Sequence, residues 1–252
     1  MGLLDGKLAF ITGGGGGISE ADAMVFTAEG ADLILADVRL DKAQEVADKV
    51  KGAGRKVQVV KLDVSNSAEV NACFEKVKKD WGRCADILVN NAAKLDTMGQ
   101  LAGFSDEMWE IDQKINLWGS FYTTRAVLPE MVRNQWGRII NISSVAGTLG
   151  GFGQVSYSAT KAGVIGLTKT TALEGARAGV TCNCIAIGVV TTPPFFKIPD
   201  KMRERITRRI AMQKPGEPID VAHLTAFLCS EKARYITGAC IPLMGGMDLF
   251  VF

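Results

Sequence analysis

Tyr157 and Lys161 stand four apart in YSATK, so in a helix their side chains leave one face about one turn apart. An ammonium beside a phenol favours the phenolate and draws its pKa from ~10 toward neutrality. That makes the tyrosine a workable general acid/base. Such a pair recurs by chance, but this one follows Ser143 and Ser144 at the end of GRIINISS, with Ser144 thirteen residues before Tyr157. The serines give the pair its specificity.

A second constellation is TGGGGGISE, Thr12 to Glu20, between the apolar run LAFI and an alanine-rich helical segment. Glycine costs roughly 0.5–1 kcal/mol per residue relative to alanine in regular structure, so five in a row need a reason. At a strand-to-helix turn, free N–H groups and the partial positive charge of a helix start face outward, and glycines let a pyrophosphate approach the backbone. Asp37 ends the next strand-like run, ADLILAD, about 20 residues on, where a carboxylate accepts from both ribose hydroxyls and repels a 2′-phosphate. NAD is therefore favoured over NADP. Arg39 is the one nearby counter-signal, and a turn role at the strand end is the alternative for Asp37.

These residues need a frame. Apolar, β-branched runs alternate with helical patterns: KLAFIT, ADLILAD, KVQVVKLD, ADILVNN, GRIINIS, GVTCNCIAI and ACIPLM. Runs this apolar suit burial on both faces, so the expected fold is α/β: a Rossmann-type, doubly wound parallel sheet of about seven strands with helices on both faces. No linker or repeat interrupts the pattern, and residues 1–252 read as one domain. The longest irregular stretch, about 188–214, holds Pro193, Pro194 and Pro199 and then a charged run, as expected of a substrate lid.

Composition narrows the partners. With 47% hydrophobic and 22% charged residues and a net charge of +2, neither nucleic acid nor membrane is expected as a partner. The start MGLLDGKLAF lacks a signal-peptide pattern, and no apolar run reaches the ~18–20 residues of a spanning helix, so a cytoplasmic enzyme is expected. Six cysteines without CxxC spacing and a single histidine, His223, argue against a zinc site, and no catalytic metal is expected.

With these pieces in place, the chain resembles the short-chain dehydrogenase/reductase (SDR) family over essentially its whole length. The matching stretches are TGGGGGI, LDVS at 62–65, NNAA at 90–93, INLWGSF around Asn116, NISSVAG, YSATKAG and FLCSEKARYITGACIPLMGG. The resemblance implies a catalytic tetrad of Asn116, Ser144, Tyr157 and Lys161. Ser144 and Tyr157 would hold the substrate oxygen while hydride passes to or from nicotinamide. Lys161 would tune Tyr157, and Asn116 would hold a water for proton relay. It also implies cofactor contacts from Gly13, Gly16, Gly17 and Ile18 of the loop, and from Asp37. Others would come from Asp63 and Val64 of LDVS, from Asn90 and Ala92 of NNAA, and from Tyr157 and Lys161 at the nicotinamide ribose. Ile187, Val190 and Thr192 would follow the sixth strand.

Within the loop, the resemblance makes Gly13 and Gly17 obligatory and the positions between them open to other small residues. Gly14→Ala is thus expected to be nearly neutral for NAD affinity and Gly17→Val to abolish it. Four positions depart from the pattern: Ser19 for the third glycine, Ala93 for a glycine, Ile187 for a proline and Met244 for an aspartate. Expected pocket walls are Leu95 and Met98, then Leu149 and Phe152, then Val189, Phe195 and Phe196. Their apolar character suits an aliphatic, alicyclic or steroid-like alcohol or ketone. The segment FKIPDKMRERITRRIAMQK carries seven Lys/Arg against two Asp/Glu, which reads as a solvated face or as steering for an anion. The alternatives to an NAD-dependent alcohol dehydrogenase are a 3-oxoacyl-thioester reductase and a catalytically silent NAD-binding sensor or scaffold. A homotetramer is implied, through helices at about 106–133 and 156–178 and a C-terminal contact at the apolar tail MDLFVF.

Overall fold

The computed structural model describes residues 2–249; the last three residues of the tail, 250–252, lie outside it. The seven apolar runs form seven strands: β1 (Leu8–Thr12), β2 (Asp32–Asp37), β3 (Val57–Lys61), β4 (Ile87–Asn90), β5 (Gly137–Ser144), β6 (Val180–Ile187) and β7 (Cys240–Leu243). All pair in parallel, in the order β3-β2-β1-β4-β5-β6-β7. The order reverses between β1 and β4, which opens a crevice at the C-terminal ends of those strands.

Alternate residues of each strand feed two cores. Ala9 and Ile11 of β1 and Leu33 and Leu35 of β2 join one apolar cluster; Leu8, Phe10, Ile34 and Ala36 join the other. That is why the runs show few polar alternations. On the first face lie α1 (Gly17–Ala28), α2 (Leu40–Val50) and α10 (Pro218–Cys229), contributing Phe26, Val46 and Val221. On the second lie α3 (Ser67–Trp81), α5 (Gly119–Arg133) and α7 (Val155–Gly175), contributing Phe74, Val127 and Ala172.

The helix expected over 106–133 is not uniform. It begins as α4 (Asp106–Asp112), opens into a π-helical stretch at Gln113–Trp118 and continues as α5. Such widened turns are rare and recur at functional sites. A short helix, α6 (Val145–Leu149), follows β5. Between β6 and α10 run α8 (Pro193–Phe196) and α9 (Asp200–Thr207). The two ends of that segment are stitched together. Gly216 donates to the Val189 carbonyl and accepts from the Thr191 N–H, both at 2.9 Å.

No helix among the described residues is long and apolar enough to cross a membrane. All six cysteines are free, with Cys182, Cys184 and Cys229 buried.

Candidate active site

Strand β5 and helix α7 bring the acid/base groups together at the C-terminal edge of the sheet. Ser144 is the last residue of β5, and its Oγ caps α6 by accepting the Ala146 N–H at 3.1 Å. Lys161 is 3% exposed; its Nζ donates to the Ile142 carbonyl at 2.8 Å and lies 5.7 Å from the centre of the Tyr157 ring. Ser143 is fully buried and donates to the Lys161 carbonyl at 2.7 Å, so it holds α7 on β5 and leaves Ser144 at the cleft. Gly147 lets α6 lie against this turn, because a Cβ there would sit 2.6 Å from the Lys161 carbonyl carbon.

Burial pushes the Tyr157 phenol up to about 12, with the neighbouring Ser144 hydroxyl acting in the opposite direction. Burial also lowers Lys161 to about 8. The expectation that Lys161 draws the phenol toward neutrality is therefore not met by the polypeptide alone. The ammonium is turned to the Ile142 carbonyl, and desolvation acts on both groups.

Asn116 sits fully buried in the π-helical stretch. Its Oδ1 accepts the Lys94 N–H at 2.7 Å and its Nδ2 donates to the Lys94 carbonyl at 3.1 Å, which fixes the loop after β4.

The glycine loop lies beside this cluster. Gly13 has φ +66°, and a Cβ there would come within 2.9 Å of the Ala92 Cα. Helix α1 starts with Gly16 as its N-cap residue and no side-chain cap. A bare helix start in a glycine cradle fits the pyrophosphate of a dinucleotide. Asp37, 5% exposed, accepts the Gly15 N–H on Oδ2 and the Arg39 N–H on Oδ1, each at 2.9 Å, so its carboxylate is aimed by the loop itself. Ile18 is half-buried in the first turn of α1.

The middle glycines are less free than expected. A Cβ on Gly14 would lie 2.9 Å from Leu35 Cβ, and one on Gly15 would lie 2.6 Å from Lys42 Cβ and 2.9 Å from its carbonyl carbon. A Cβ at Gly14 requires β2 to give way, a cost of close packing rather than of phosphate approach. Gly17 faces the segment after β6 instead, its Cβ position lying 3.2 Å from Pro193 Cδ and 3.5 Å from Thr192 Cγ2.

Ser19 makes a specific contact. It is fully buried, and its Oγ accepts the Asn91 Nδ2–H at 2.8 Å. Thr12 completes the tie: its Oγ1 accepts from the N–H groups of Asn91 and Ala92, both at 3.1 Å. Sequence reasoning missed Thr12 and Asn91 as supports of the loop, although both stand inside its motifs. Asn90, by contrast, turns inward. Its amide bonds Thr124 and Asn141, and its Oδ1 accepts from Thr123, so its side chain serves the scaffold. Asp63 accepts from the N–H and hydroxyl of Ser65, and Val64 packs against Gly119. Ile187 ends β6, and Gly188 donates to Leu243 at 2.9 Å with Met244 against its α-carbon. Val190 is buried beside Gly216, and Thr192 precedes α8.

Leu95, Met98, Leu149, Phe152 and Phe196 are each about half exposed or more, while Val189 and Phe195 are half-buried. Phe195 and Phe196 meet edge to face at 5.4 Å. Phe152 lines a groove of about 530 Å³ with Gly99, Leu101 and Val155, and the loops on its two sides are tied by the Gly99 N–H to the Gly153 carbonyl at 2.9 Å. No group of three or more His, Cys, Asp or Glu side chains among the described residues is placed to hold a metal ion.

A parallel sheet with a glycine-rich β1–α1 turn and a Ser-Tyr-Lys cluster at its C-terminal edge defines a dinucleotide-binding oxidoreductase. A family model described as Enoyl-(Acyl carrier protein) reductase matches residues 14–248. The chain belongs to the short-chain dehydrogenase/reductase family. It is 36% identical to the (2S)-[(R)-hydroxy(phenyl)methyl]succinyl-CoA dehydrogenase subunit BbsD of Thauera aromatica, over 98% of each chain. It is 37% identical to the 3-oxoacyl-[acyl-carrier-protein] reductase FabG of Thermotoga maritima, over 97% of this chain and 98% of that protein. The crystal structure of levodione reductase superposes with a TM-score of 0.94 at 31% identity, covering 98% of this chain and all of the other.

Proposed function

We propose that this chain is an NAD-dependent oxidoreductase that interconverts a secondary alcohol and a ketone, with Tyr157 as general acid/base. The observation that carries the reading is the convergence of Ser144, Tyr157 and Lys161 at the edge of a crevice whose other side is the uncapped start of α1. When bound, nicotinamide supplies the hydride acceptor or donor, and its oxidised ring carries the positive charge that favours a phenolate nearby.

The chain's own residues do the rest. In oxidation Tyr157 Oη takes the proton of the alcohol hydroxyl; in reduction it returns that proton to the carbonyl oxygen. The Ser144 hydroxyl holds the same oxygen, Lys161 supports the phenolate, and Asn116 fixes the Lys94 loop at the mouth of the site. Gly13, Gly16, Gly17 and Ile18 would hold the pyrophosphate side. Asp37 would take the adenosine ribose, which supports NAD over NADP, since its buried carboxylate meets a 2′-phosphate with like charge. The segment 188–214 would act as the lid. The apolar rim supports an aliphatic, alicyclic or steroid-like substrate.

Tyr157→Phe is expected to lose nearly all turnover while NAD still binds, read by NADH absorbance and by fluorescence titration of cofactor. Full turnover in that variant would sink the mechanism. A strong preference for NADPH would contradict the role given to Asp37.

A thioester substrate is the second reading, favoured by cations of α9 and its flanks, such as Lys201, Arg205 and Arg209, that have no ion-pair partner among the described residues. Two positions where the family resemblance would place carrier-binding cations hold Ala178, buried, and Gln135, in a left-handed turn, with Arg133 and Arg177 close by in sequence. Activity on 3-oxoacyl thioesters exceeding that on free ketones would favour this reading. The half-exposed Trp118 and Phe121 and the exposed Leu173, on the helices that would pair, support a homotetramer; light scattering tests it.

A further inference from the structure

Asp112 is a carboxylate with no solvent exposure and no salt-bridge partner among the described residues. It ends α4, one turn before Asn116. Both of its oxygens are used. Oδ1 accepts the Thr97 hydroxyl at 2.8 Å, and Oδ2 accepts the hydroxyl of Ser156, the residue directly before Tyr157. Thr97 lies in the same loop that Asn116 holds at Lys94, so this one helix pins the pocket loop at two points. Through Ser156 it also reaches the first turn of α7. Three segments that must agree in position thus meet on one side chain.

We propose that Asp112 is a positioning residue of the reaction: it fixes the turn that carries Tyr157 and the loop that carries Leu95 through two hydroxyls, and sets a negative charge behind the phenol. The inference rests on Tyr157 being the acid/base. The groups acting on that phenol are the Ser144 hydroxyl from β5, Lys161 from its own helix with Cys184 of β6 behind it, and Asp112 from α4. After burial, Asp112 is the influence that holds the phenol in its protonated form.

The test compares pH profiles of kcat/KM for alcohol oxidation in wild type, Asp112→Asn, Ser156→Ala, Thr97→Val and Tyr157→Phe. Asparagine keeps both hydrogen bonds, because Ser156 can accept where it donated, but removes the charge. Its acid limb is expected to move to lower pH by roughly half a unit or more. Ser156→Ala keeps the charge and loses the tie; kcat is expected to fall at least about threefold with no downward move of the limb. An unshifted limb in a folded Asp112→Asn, with Tyr157→Phe inactive, overturns the inference and leaves the acid/base reading standing. Full activity of Tyr157→Phe overturns both. If circular dichroism shows Asp112→Asn unfolded, the other two variants decide: reduced kcat with unchanged NAD affinity supports the role, and full kcat in both overturns it.

Discussion

Two buried carboxylates divide the molecule. Asp112, where α4 meets the start of α7, receives two hydroxyl donors; Asp22, where α1 packs on α10, receives none among the described residues. Both have zero exposure. Burial pushes Asp22 up to about 8, so at neutral pH it keeps its proton. The lesson is that burial without donors favours the neutral form of an acid, whereas hydroxyl donors on both oxygens meet the polar demands of a buried one. Beside the site, the buried side chains of Asp112 and Asn116 both have hydrogen-bond partners. On the packing side, neither oxygen of Asp22 has one among the described residues.

The largest effect expected from this contrast is on stability against pH. The folded pKa of Asp22 lies above its unfolded value, so this group favours folding most below pH ~4, and that stability is lost as pH rises toward about 8. At about 1.4 kcal/mol per pH unit, the loss is on the order of 5 kcal/mol across the window. Asp22→Asn should flatten that slope in urea titrations run from pH 4 to 8, and an unchanged slope would break the comparison. Asp112→Ala should go the opposite way, costing about 2–4 kcal/mol in the same assay, because it leaves two buried hydroxyls without their acceptor. A stable Asp112→Ala would show that the donors matter less than their geometry suggests. Ser19 sharpens the scale from the middle, as a buried hydroxyl with one partner. Ser19→Ala should cost roughly 1 kcal/mol and weaken NAD binding slightly through Asn91, as seen by calorimetry.

Much of the frame was legible because strands buried on both faces are mostly apolar, as the runs LAFIT, DLILAD and ILVN of β1, β2 and β4 are, while β5 and β6 add a few buried polar residues. Tyr157 and Lys161 were legible because helical spacing puts them on one face, and Ser144 was singled out by the family resemblance through its offset from Tyr157. What escaped was set by partners distant in sequence. The π-helical stretch that buries Asn116 has no local signature, since QKINLW would also suit an ordinary α-helix. Asn90 and Asn91 are the same residue side by side, yet one turns into the sheet and the other toward the glycine loop. Ser19 looked like an imperfection in a glycine motif until the Asn91 amide came into view. The tightness of Gly14 and Gly15 depends on β2 and α2, which no motif describes.

The two backbone bonds between Gly216 and the residues Val189 and Thr191 bear on the entropy of the segment between them. The chain leaves the sheet and returns to nearly the same point, so what lies between behaves as a tied loop. The entropy of closing a loop grows only slowly with its length. A change in the length of the tied loop's exposed part would thus cost little in closure, while Ile210 and Met212 anchor its far end against Gly245.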